Sequence, residues 1–92
     1  MNDSAKEKLE SLLKEETTTA GKEATEWALS VLRTFDVERA AKLVFWQLAD
    51  AGWWCEHLSE TGDIDDEEGN LQWQQDRARG LARAWFHLDR LA

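Results

Sequence analysis

Apolar residues recur in this 92-residue chain at intervals of three and four, and no proline interrupts them. That spacing lines up side chains on one face of an α-helix, whereas a strand would need alternation by two. Five glycines are the only other strong breakers, so the pattern predicts an all-α fold. Single cores typically occupy about 100 to 150 residues, and one domain spanning residues 1–92 is expected. A domain this small buries only about 60 to 65% of its unfolded surface, so it gains from association with something else.

Four segments follow from caps and breakers. Ser4 with Glu7 three residues on has capping-box spacing, in which hydroxyl and carboxylate satisfy free amides at a helix start. Ala5, Leu9, Leu12 and Leu13 then make one narrow stripe. Thr17, Thr18, Thr19 and Gly21 predict a joint at residues 17–21, with residues 1–19 as an N-terminal helix able to dock as a separate arm. One continuous helix is the alternative, because Leu13, Ala20, Ala24 and Trp27 keep about the same face. Ala24, Trp27, Ala28, Val31, Leu32 and Phe35 define a second amphipathic helix. Asp36 suits an N-cap, and Glu38 complements the dipole in the first turn of a third helix over Val37 to Leu58. Gly62 and the acidic run Asp63 to Asn70 read as a connection, and a last helix starts near Leu71 and reaches the C-terminus. Short connections imply antiparallel neighbours, which gives a small antiparallel bundle of three or four helices.

At 100° per residue the two longest helices each carry two apolar faces. In the third, Val37, Ala40, Ala41, Val44, Leu48, Ala51, Cys55 and Leu58 form the core side. Trp46, Ala49 and Trp53 fall nearly opposite, among Arg39, Lys42, Asp50, His57 and Glu60. In the last, Leu71, Ala78, Leu81, Ala82, Trp85 and Leu88 make the main stripe, while Trp73, Gly80, Ala84 and Leu91 occupy another. Gly80 costs about 1 kcal/mol of helix propensity, which close approach of another helix, from the same chain or a second one, would offset. Exposed tryptophans in a patch mark interaction sites, so Trp46, Trp53 and Trp73 are candidate partner contacts and a symmetric homodimer is expected.

Nineteen acidic against eleven basic residues give a net charge of −8. Such a chain is repelled by phosphate backbones and anionic lipid, which argues against direct nucleic-acid or membrane binding. No apolar run approaches the ~18 residues of a membrane span. One cysteine cannot form an internal disulfide, and MNDSAKEKLE lacks the apolar core of a signal peptide, so a cytoplasmic location is expected.

Residues 56–70 hold seven acids and no lysine or arginine. Of these, Asp63, Asp65, Asp66, Glu67 and Glu68 are candidate partner contacts for a basic surface, with a merely solvated loop as the alternative. They do not form an EF-hand, because Glu68 stands where that loop needs glycine and Gln74 where it needs a bidentate glutamate. His57 and His87 lack the glutamate three residues earlier that a helical di-iron site uses. Glu23 with Glu26, and Glu60 with Asp63, are paired carboxylates of the kind that hold magnesium in all-α nucleotide pyrophosphohydrolases, although the second pair sits beside Gly62 and no basic cluster accompanies either. Cys55 lies on the core stripe, where burial makes a thiol inert. No serine has a histidine and carboxylate at a diagnostic spacing, and there is no glycine-rich phosphate loop. Arg77, Arg79, Arg83 and Arg90 make the last segment locally basic; they either neutralise neighbouring acids or, with Trp73, Phe86 and His87, receive a small anion such as a nucleotide.

The expectation is therefore a non-catalytic acidic interaction protein without a cofactor, which binds and inhibits a larger basic or nucleic-acid-binding protein. A phage-encoded inhibitor or an immunity-like protein has this character. The alternatives are a helical oligomer that binds a small anion and a magnesium-dependent nucleotide pyrophosphohydrolase.

Overall fold

The computed structural model describes residues 3–64 and 66–92 and is an all-α bundle of four helices among them. They are α1 (Asp3–Glu15), α2 (Thr19–Thr34), α3 (Val37–Thr61) and α4 (Leu71–Leu91). The N-terminal region is two helices rather than one, and the joint falls at residues 16–18. Thr18 ends the ambiguity: in extended conformation, its hydroxyl accepts from the Gly21 N–H at 3.0 Å and caps α2. Ser4 does not cap α1, since that helix already includes Asp3. Asp36 caps α3 by accepting from the Arg39 N–H at 2.8 Å, and Asn70 caps α4 through the Trp73 N–H at 2.9 Å. Gly62 closes α3 at φ 86°, a left-handed conformation that favours glycine, and its N–H reaches the Leu58 carbonyl.

α4 packs against all three other helices, most extensively against α3. These two run antiparallel, because Asp50 meets Arg77 while Phe45 meets Trp85. α1 is not a loose arm. Ala5, Leu9 and Leu12 are buried in the common core, and α1 touches both α2 and α4. Its Glu15 and, in the joint that follows, Glu16 both approach Arg83 of α4, at 3.4 and 3.8 Å.

The two apolar stripes expected on α4 merge at Gly80, Leu81, Ala84 and Leu88 into one buried face, while Leu91 of the second stripe is exposed. A side chain at Gly80 would meet the backbone of Gly21 and Cβ of Ala24, so the helix that approaches closely is α2 of the same chain. Along α3 the core stripe holds for Val37, Ala40, Ala41, Val44, Ala51 and Leu58, while Leu48 and Cys55 are half-buried at its edge. No helix among the described residues is long and apolar enough to cross a membrane.

Candidate functional site

The outer face of α3 keeps its aromatic residues in solvent. Trp46 is 74% exposed and Trp53 56%, and Ala49 between them is exposed too. Both lie on the side of α3 opposite its core stripe, where Trp46 borders a groove that Phe45, Trp85 and Asp89 also line. Trp53 instead stacks on His57, one turn away, with ring centres 4.9 Å apart and planes 8° from parallel. Trp54 meets both rings edge-on, at 5.2 and 6.1 Å. Offset or edge-on ring pairs are worth about 0.5–1.5 kcal/mol, which biases Trp53 toward this orientation. Glu56 and Glu60 border this aromatic cluster. The result is an exposed aromatic ridge with carboxylates at one end, a surface suited to docking.

Trp73 does not belong to that ridge. It lines a cleft of about 240 Å³ with Ala20, Glu23, Ala24, Trp27, Gln47, Arg77 and Leu81. Its indole N–H is buried and meets no acceptor among the described residues. Arg77 on the cleft wall is held from within. One guanidinium nitrogen donates to Asp50 at 3.1 Å and to the Gln74 amide oxygen at 2.9 Å, and the other donates to Gln47 at 2.6 Å. An arginine whose charge is paired and three of whose five donors are engaged is a poor receiver for a small anion, and Glu23 adds a negative charge to the same cleft. Arg79 pairs with Asp76 and Arg83 with Glu15, while Arg90 lies over the Phe86 ring. The local basicity of α4 is thus largely spent on its own neighbours.

The acidic loop is built rather than loose. Asp63 accepts from the Leu71 N–H at 2.8 Å and from the Asn70 amide at 3.3 Å, placing a negative charge at the N-terminus of α4. Asp66 accepts from the Gly69 N–H at 2.7 Å, and Ile64 donates to the Gly69 carbonyl at 2.8 Å. Gln74 is completely buried and donates to the Glu68 carbonyl at 2.8 Å, locking the loop onto α4. Repulsion among the carboxylates is therefore offset at Asp63 and Asp66 by backbone amides. The side chains of Glu67 and Glu68 stay exposed; Asp65 lies outside the described residues. Gln74 was missed in the sequence because hydropathy counts an amide as surface, and only the spacing Gln74, Leu81, Leu88 could have shown it on the core line.

Glu23, Glu26, Glu60 and Asp63 do not converge. Among the described residues no three of His, Cys, Asp and Glu are grouped so as to hold a metal ion. His57 and His87 are likewise apart: the first stacks on Trp53, the second lies edge-on to Phe86. Burial pushes the Cys55 thiol above its ordinary value, and the Arg77 guanidinium draws it part of the way back. No protein-family model, curated protein or solved structure matches this chain.

Proposed function

We propose that this protein is a non-catalytic interaction module that assembles with other protein through the outer face of α3 and offers its acidic loop to a basic surface. The observation that carries the reading is the exposure of Trp46 and Trp53 on one line of one helix. Truncations that matter most at interfaces fall on tryptophan, tyrosine and arginine, and burying two indoles supplies a large part of a binding energy. Glu67 and Glu68 at the end of the bundle add a negative field that speeds encounter with a basic partner and fixes its orientation. Inhibition of such a partner follows if the covered surface is the one it uses on nucleic acid.

The test is retention on the immobilised chain. Wild type should hold a basic protein from the native cell at low salt and release it as salt rises, and Trp46→Glu with Trp53→Glu should fail to hold it while keeping the helical circular-dichroism signal. Equal retention by both forms would overturn the proposal.

A further inference from the structure

The exposed line on α3 has a polarity along its length. Arg39, Lys42, Trp46, Ala49, Trp53, Glu56 and Glu60 are all exposed and are separated alternately by three and four residues. That is the a/d spacing by which one helix packs along another. Its N-terminal end carries two cations, its middle two indoles on either side of an alanine, and its C-terminal end two carboxylates. Asp36, Glu38 and, from α4, Asp89 border this end; Glu38 pairs with Lys42 at 3.8 Å, and the Arg39 guanidinium lies 5.8 Å from the centre of the Phe35 ring. The Glu38 and Lys42 side chains are both about three-quarters exposed, so their pairing does little to neutralise that end.

From this arrangement we infer that the α3 face pairs antiparallel with the same face of a second copy, about a two-fold axis at Ala49. In that alignment Lys42 stands opposite Glu56 of the second copy and Arg39 within one residue of its Glu60, inside the reach of a guanidinium, and the two-fold repeats both pairs. Ala49 at the crossing lets the helices approach, and the indoles on either side of it pack over the partner helix. Parallel pairing would set cation against cation and carboxylate against carboxylate. The inference rests on the proposed docking role of this face and names its occupant; a basic target that uses the same tryptophans must then displace the second copy.

The two copies each carry −8, so a general electrostatic view and the registered pairing make opposite forecasts. Glu56→Lys with Glu60→Lys reduces the net charge to −4, which lessens overall repulsion, yet it sets lysine against Arg39 and Lys42 across the axis. Sedimentation equilibrium of the wild type should show a species of twice the 10.6 kDa chain mass, with a dissociation constant on the order of 10 µM. The Glu56→Lys, Glu60→Lys chain should be monomeric under the same conditions, as should Arg39→Glu with Lys42→Glu. An equimolar mixture of the two variants should restore the dimer, seen as the mixed species by native mass spectrometry. A wild type that stays monomeric at about ten times that constant, or a Glu56→Lys, Glu60→Lys chain that dimerises as well as wild type, overturns the pairing. The docking role fails separately: a monomeric wild type that still retains a basic protein through Trp46 and Trp53 loses only its second copy.

Discussion

Gly21 and Gly80 meet backbone to backbone: a Cβ on Gly80 would stand 3.1 Å from both the Cα and the carbonyl oxygen of Gly21. Neither atom belongs to a flexible side chain, and Gly21 is itself covered by Glu16 and Thr18. An overpacking cost of about 1–3 kcal/mol less the ~1 kcal/mol gained in helix propensity leaves Gly80→Ala destabilising by up to about 2 kcal/mol. Gly52 is the internal control. It also lies inside a helix, but nothing stands within 4 Å of a Cβ there. Gly52→Ala should stabilise by about 0.5–1 kcal/mol. Thermal melts of the two variants should move in opposite directions from wild type.

Gln74 joins the loop to the network around Arg77, donating to Glu68 and accepting from Arg77. Gln74→Ala removes the donor to the Glu68 carbonyl and one of three acceptors of Arg77 and opens a cavity, at a cost of about 2–4 kcal/mol. The loop should loosen before the bundle does. Limited proteolysis is expected to cleave this variant within residues 62–70 under conditions where wild type stays intact.

The carboxylates of the loop divide into those that hold structure and those that do not. Asp63→Ala removes an acceptor from the start of α4 and should cost about 1 kcal/mol in a denaturant titration. Glu67→Gln should stay within about 0.5 kcal/mol of wild type. Equal effects of the two changes would mean that the capping by Asp63 contributes nothing measurable.

Cys55 offers a pH readout of the interface between α3 and α4. Its thiol is raised, first by burial, with Arg77 opposing. Below the ordinary thiol value both folded and unfolded chains hold the proton, and no pH dependence arises from this group. As pH climbs past that value the unfolded chain releases its proton first, so stability falls through the window up to the folded value and then levels. Disulfide-exchange rates measured against pH should show a midpoint above that of a free thiol, and Arg77→Gln should move it higher still. A downward movement would contradict the role of the guanidinium.

The sequence by itself determined the all-α class, the last three helices and the outward face of α3, while the break between α1 and α2 stayed open. Helix formation answers to local spacing and to caps such as Asp36, and Trp46 and Trp53 lie opposite Val44 and Ala51 by the geometry of a single helix. No neighbour is needed to deduce that. What only the tertiary structure decided is where short and polar residues go. Gly80 and Ala84 looked like a second surface because they lack the bulk that marks a core stripe, yet their smallness is what lets α2 lie against α4. Gln74, an amide, is buried because Glu68 and Arg77 converge on it from a loop and from its own helix. Trp73 shares its residue type with Trp46, but the packing of α2 turns its surroundings into a cleft. Asp63 differs from Glu67 in the same way, through the amides at the start of α4. In each case the deciding partner lies on another element, and hydropathy along one helix carries no information about a contact whose other half is supplied elsewhere.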